Sequence, residues 1–209
     1  MISTSTYSNA ISLQLEIAKK VISRNLFSSK IKYISGVDVS YKNNIAYCSA
    51  VILEKDTLRP VESVDKTLKV KYPYIPGLFM LRESDPILST LKLLKHRFDV
   101  LLVDGHGRLH PRRCGLACFI GVKGNKPVIG VAKNLLCGVE KRDRVIIDNK
   151  ILGNVIKKGK KKTYVSVGHK ISLKTAAKLV RELIKDDHWY PEPLRIAHIN
   201  SKKMKRHNT

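Results

Sequence analysis

Apolar residues recur along this chain first at helical spacing, then at strand spacing, then in short unbroken runs. Over residues 8–22 (SNAISLQLEIAKKVI), Leu13, Ile17 and Val21 stand four apart, which predicts an amphipathic helix. Residues 31–41 (IKYISGVDVSY), 45–53 (IAYCSAVIL) and 64–72 (VDKTLKVKY) read as strands, with Asn43-Asn44 as a hairpin turn between the first two. A helix is expected over 85–97, carrying Leu88, Leu91 and Leu94. The runs DVLLVDG at 99–105 and PVIGVAK at 127–133 suit strands buried on both faces of a parallel sheet. Between them, CGLACFIGV at 114–122 is apolar enough for a crossover helix. Short strands are expected near 143–158 and 163–167. Ser172 reads as the N-cap of a helix whose apolar face is Leu173, Ala176, Ala177, Val180, Leu183 and Ile184.

A length of 209 residues suggests one domain spanning the chain, with a basic C-terminal tail from about residue 195. The 40 Lys and Arg exceed the 17 Asp and Glu by 23. That excess in a folded, 43% hydrophobic chain excludes a disordered polycation and points to a polyanion partner, most simply nucleic acid. The basic tracts are KKGKKK at 157–162, the stripe Lys174, Lys178, Arg181 and Lys185, and the C-terminal residues. Each alone reads as a solvated surface. Together they suggest a surface that follows phosphates. Cys48, Cys114, Cys118 and Cys137 form no metal-binding pair and read as free thiols of a reducing compartment. No run approaches the roughly 20 apolar residues of a membrane span. The N-terminus lacks a signal-peptide pattern. A cytoplasmic location is therefore expected and, with no dimer signature, a monomer.

Composition cannot separate binding from catalysis, so the candidate chemistry matters. Val37, Val39 and Tyr41 share one strand face, which turns Asp38 to the other; taken alone, Asp38 reads as an edge or solvated carboxylate. Asp104 closes a buried apolar strand, and ligand sites in open α/β sheets lie beyond the carboxyl ends of strands. Lys133 closes the next such strand, so the two should approach one site. Gly105-His106-Gly107 lets backbone pass close to a ligand, and His110 follows in the same loop. Glu83 follows a Pro73–Gly77 segment (PYIPG) that can be neither regular helix nor central strand. That segment is either a packed loop or an aromatic wedge for a base. Carboxylates without a Cys/His cluster or a P-loop suit Mg²⁺ or Mn²⁺, and with this charge they suggest metal-dependent phosphodiester hydrolysis.

VDVSY at 37–41, PYIPGLFMLRE at 73–83, VDGHGRLHPRRCGLACFIGV at 103–122, IGVAK at 129–133 and VSVGHKISLKTA at 165–176 resemble the endonuclease V family, in the family's order. The resemblance implies an α/β, RNase H-like fold: a mixed sheet of three antiparallel then two parallel strands, flanked by helices. It implies nicking of DNA at the second phosphodiester bond 3′ to a deaminated base, chiefly deoxyinosine, with inosine in RNA cut by some members. Carried over, Asp38, Glu83 and Asp104 match the metal-binding acids, and His110 and Lys133 the catalytic His and Lys. Tyr74, within Pro73, Ile75 and Pro76, matches the wedge. Gly77, Phe79, Gly105, Gly107, Gly115, Leu116, Gly130 and Ala132 match the surroundings of the base pocket, and His169 a position near the site. His106, Cys114 and His198 depart from the pattern, standing where Asn, an aromatic and Asp are common. Another RNase H-like structure-selective nuclease and a non-catalytic nucleic-acid-binding protein are the competing readings.

Overall fold

The structure is a computed structural model that describes residues 4–27 and 30–207. Helix α1 (Thr4–Lys20) leads into a meander of β1 (Tyr33–Lys42), β2 (Ile45–Glu54) and β3 (Pro60–Lys69), paired antiparallel. Asn43 and Asn44 turn the first hairpin with φ of 47° and 61°, the conformation that suits strand twist in a two-residue loop. Next come α2 (Met80–Leu91), β4 (Val100–Asp104), α3 (Leu116–Gly124) and β5 (Val128–Ala132); β4 runs parallel to both β1 and β5. The chain then adds β6 (Val139–Lys141), β7 (Arg144–Ile147), β8 (Lys150–Lys158), β9 (Lys161–His169), α4 (Leu173–Glu182) and α5 (Glu192–His207). The resulting mixed sheet has the order β3-β2-β1-β4-β5-β9-β8-β7-β6. Its first five strands have the expected RNase H-like arrangement.

The unbroken apolar runs are explained by burial on both faces. Leu101 and Val103 of β4 join a core with α1, α2 and α3, while Val100 and Leu102 join a second core with α4 on the opposite face. Ser172 caps α4 as expected, its Oγ accepting from Thr175 N at 3.1 Å. All four cysteines are free thiols. Among the described residues, no helix is long and apolar enough to cross a membrane.

Several expectations require correction. The buried face of α1 carries Ala10, Gln14 and Ile17, and Leu13 is 40% exposed. Of the predicted face, Ile17 is buried and Val21 packs against the core, while only Leu13 turns outward; Gln14 takes an inward position because it bonds loop carbonyls beneath the site. Strand β3 begins at Pro60 rather than residue 64; it is an edge strand, where a missing N–H is tolerated. Helix α2 runs from Met80 to Leu91, not over 85–97, so Glu83 lies in its first turn rather than on a loop. The anticipated tail from 195 is instead most of α5, which packs across β1 and β2 through Pro193, Leu194, Ala197 and Ser201. Gly36 makes room for it: a Cβ there would lie 2.4 Å from Pro193 C.

Glu192 anchors the start of α5. Its carboxylate accepts from Arg195 Nε at 2.6 Å, Arg195 Nη2 at 2.8 Å and Lys185 Nζ at 3.1 Å. The bonds from Arg195, then from Lys185, hold its pKa down at about 2. A depressed acid contributes stability that is complete above its unfolded value and lost as pH falls through the folded one. Glu192→Gln should therefore cost about 1–3 kcal/mol at pH 7, and less near pH 3. Urea unfolding at both pH values measures this; equal deficits would mean the charge contributes nothing.

Candidate active site at one edge of the sheet

Parallel pairing brings the carboxyl ends of β1, β4 and β5 to one edge. The register Val37↔Val103 sets Asp38 level with Asp104 on the neighbouring strand, about 5 Å apart at the backbone. Lys133 follows β5. Helix α2 brings Glu83 to the same corner, where it is 5% exposed. Burial raises the Glu83 pKa well above the usual range; the Tyr41 hydroxyl works against this, and the charges of Asp38 and Asp104 push it further up. Asp104 is also raised, first by burial and then by Asp38, against the pull of Lys133. Lys133 Nζ donates to Asp104 Oδ2 at 2.6 Å, and Tyr190 Oη lies 3.0 Å from Asp104 Oδ1. On Asp38, Oδ2 receives His198 Nδ1 at 3.0 Å and Ser201 Oγ at 2.8 Å. Among the described residues, no group of three or more His, Cys, Asp or Glu side chains stands close enough together to hold a metal ion as it is. Glu83 and Asp104, both raised, together with Asp38 beside them nevertheless form a donor set that a hard cation would relieve.

A cavity of about 290 Å³ opens beside the acids. That is near the lower bound for small-ligand pockets, so it suits a single compact group. Tyr74, Gly77, Phe79, Gly105, Gly115, Leu116 and Ala132 line it together with Asp104, His110 and Lys133. Tyr74 is 61% exposed at the mouth, its ring edge-on to Phe79 with centroids 5.6 Å apart. Pro73 and Pro76 flank it, while Ile75 packs against the core below. Gly107 and Gly130 lie beneath the cavity rather than lining it. A Cβ on Gly130 would sit 2.4 Å from Gly107 N, so the pair lets the 105–107 loop rest on β5. His169 is not brought to the site. It pairs with Val128 at the far end of β5 and its Nδ1 accepts from Ile22 N at 3.2 Å.

A family model for endonuclease V matches residues 15–199. The chain belongs to the endonuclease V family. It is 41% identical over 203 residues to endonuclease V of Thermofilum pendens, covering 93% of this chain and 87% of that protein. It is 41% identical to endonuclease V of Thermococcus kodakarensis, covering 88% and 85%. Endonuclease V of Ciona intestinalis, solved with a 23mer DNA containing an inosine followed by a ribo-adenosine, superposes with a TM-score of 0.91 at 30% identity over 100% of both chains. Human endonuclease V superposes with a TM-score of 0.88 at 28% identity, covering 96% and 98%. The fold and the enzyme class, an endonuclease of the endonuclease V family, follow from these likenesses.

His198 holds Asp38 from α5, so the C-terminal segment contributes to the acid cluster. Four residues of the site were not anticipated. Gln14 Nε2 donates to Gly77 O at 3.2 Å and also to Cys114 O, and Arg112 Nη2 donates to Gly77 O at 2.6 Å. Both brace the loop that carries Tyr74. Tyr190 and Ser201 hold the acids. The signal for Gln14 was a polar residue interrupting an apolar face; Arg112, Tyr190 and Ser201 gave none, because only the tertiary fold brings them near.

His110 faces the cavity and not the acids. Arg112 N donates to its Nδ1 at 3.2 Å, so the proton of the neutral ring sits on Nε2. Burial, then the Arg112 charge, pull its pKa down to about 4. A lowered His costs stability as pH falls from the unfolded value of 6.5 toward the folded one. NMR titration should find His110 neutral at pH 6; a midpoint at or above 6.5 would remove it from this buried setting.

Proposed function

We propose that this endonuclease nicks nucleic acid at the second phosphodiester bond 3′ to a deaminated base, chiefly hypoxanthine in DNA, with inosine in RNA as a second substrate. The observation that carries the reading is one cavity of about 290 Å³ with an exposed aromatic ring at its mouth and Asp104, one of the clustered acids, in its wall. Hypoxanthine must leave the stack to be read, since its distinguishing edge is engaged in pairing. The cavity is sized for that base. Tyr74, stiffened by Pro73 and Pro76, would fill the gap left in the stack.

Asp38, Glu83 and Asp104 would hold Mg²⁺, with Mn²⁺ able to substitute. Such an ion, when bound, lowers the pKa of an attacking water and stabilises the charge that develops on phosphate. The protein's own groups then have distinct tasks. His198 and Ser201 orient Asp38, while Lys133 and Tyr190 fix both oxygens of Asp104. Lys133 also places positive charge where the scissile phosphate would lie. His110, neutral at pH 7, is a hydrogen-bonding wall of the cavity, at the junction of base and backbone.

Matched oligonucleotides with and without one inosine test the reading, with the nick mapped to the nucleotide. The expected product is a single nick, displaced one bond from the inosine's own 3′ phosphate, in the inosine strand only. Asp104→Ala should abolish it while inosine-DNA binding persists; normal nicking by that variant would remove Asp104 from the mechanism.

Tyr74→Ala separates recognition from chemistry. Stacking of a base on an aromatic ring is worth about 1–3 kcal/mol, so cleavage in duplex should slow by roughly one to two orders of magnitude. The loss should shrink in single strands, and the nick should keep its position. Equal losses on single and double strands would make Tyr74 a packing residue.

A further inference from the structure

The active-site edge of the sheet continues past β5. Strand β9 runs antiparallel to β5 with Ala132 opposite Tyr164. Residues preceding Tyr164 therefore extend beyond the end of β5, on the same edge as Lys133. The β8–β9 hairpin turns at Gly159, whose φ is +57°. Its tip, at Gly159 and Lys160, stands about 15 Å past Tyr164 at strand rise. Lys133 and Asn134 belong both to the cavity wall and to a second groove lined by Lys160, Lys161, Lys162 and Trp189. The two depressions thus share a wall at Lys133 and Asn134.

The basic run on this hairpin divides into two groups. Lys157 and Lys162 reach Glu140 at 3.4 and 3.0 Å, and Lys158 donates to the Lys185 carbonyl at 2.6 Å. Those side chains hold the hairpin against its neighbours. Lys160 is exposed at the turn, and Lys161 lies over the Trp189 ring, 5.6 Å from its centroid. Trp189 is fixed from behind, its carbonyl accepting from Thr163 Oγ1 at 3.1 Å. A half-buried indole under a lysine, next to a second exposed lysine, presents an aromatic face and two positive charges side by side. Aromatic faces beside cations suit a nucleic-acid strand, which carries a phosphate and a stackable base per nucleotide.

We infer that the groove between Lys133 and the β8–β9 hairpin binds the substrate strand on the 3′ side of the nick, with Lys160 and Lys161 on its phosphates and Trp189 against a nucleotide. The inference rests on the proposed cleavage reading for its polarity. In that reading the strand enters at the base cavity, passes the acids and leaves past Lys133. The groove begins where the strand would leave.

Trp189 is the single tryptophan of the chain, so its fluorescence reports on this groove alone. The full-length protein is titrated, with chelator present, with inosine oligonucleotides trimmed one nucleotide at a time from either end. The fluorescence change should persist when the 5′ flank is trimmed and vanish when the 3′ flank is cut back to the nick. The double variant Lys160→Ala/Lys161→Ala should lower the salt slope of binding by about 2 on long 3′ flanks. It should weaken binding and nicking of short-flank substrates far less than of long-flank ones. A signal that follows the 5′ flank, or a variant that weakens long and short flanks equally, overturns the groove. An unmodified protein that nicks no inosine substrate, yet shows the 3′-dependent signal, would overturn the cleavage reading and keep the groove.

Discussion

Three carboxyl groups share one poorly solvated corner, and much of the surrounding architecture serves to make that tolerable. Asp38 and Asp104 are forced together by the β1–β4 register, and Glu83 is lowered onto them by α2. A carboxylate buried without compensation takes up a proton rather than remain charged. Here Glu83 and Asp104 are both pushed in that direction. The compensation comes from distant parts of the chain: Lys133 after β5, Tyr190 before α5, His198 and Ser201 within α5. Each is one half of a bond whose loss would leave a buried polar group unpaired, at about 1–3 kcal/mol. The acid cluster thereby fastens α5 to β1 and the end of β5 to β4. Its residual repulsion is also what a cation and a phosphate-bearing strand would relieve, so assembly of the fold and readiness for a polyanionic substrate share one electrostatic origin.

The second requirement is close backbone packing beneath the cavity. The 105–107 loop lies directly on β5 and β9, where a Cβ on Gly107 would come within 2.1 Å of Val167 O. No side chain fits there. Glycines that look from the sequence like ligand-facing positions thus divide in two. Gly77, Gly105 and Gly115 reach the cavity, whereas Gly107 and Gly130 set the depth at which its floor lies. The same principle admits α5 at Gly36. Residue size, rather than hydrogen-bonding chemistry, decides how near helix, loop and sheet can come.

Legibility of the chain followed the locality of the cause. The Asn43-Asn44 turn, the Ser172 cap and the two unbroken apolar strands depend on neighbouring residues or on burial of both faces, and each was readable. The alignment of Asp104 with Lys133 was readable too, because parallel strands joined by a crossover have only one arrangement to adopt. The edge position of β3, the early start of α2 and the docking of α5 depend on contacts far along the chain. A run such as RIAHINSKKMKRH reads as a basic tail until β1 and β2 supply a surface for its Ile196 and Ala197 side. Gln14 shows the reverse failure. Its inward position breaks the apolar period because carbonyls from residues 77 and 114 need a donor there. The acids themselves were recognisable through their motifs, while the residues that hold them were not, since nothing local marks Tyr190 or Ser201.

The charge excess of 23 must be carried by the folded state. Ion pairs such as Lys185–Glu192, Lys162–Glu140 and Lys55–Glu182 use the scarce acids to fix elements in place. Every acid so engaged leaves the remaining lysines further from balance. Net charge of this size strains the compact state through self-repulsion. Salt screens that repulsion, and the same salt competes with binding to phosphates. The two effects have opposite signs: added salt favours the isolated fold and disfavours its complex with nucleic acid. A bound polyanion does for the fold what salt does, but at specific lysines, and ligand that binds only the folded state stabilises it further by mass action. Stability and substrate affinity are in this way linked through the surface.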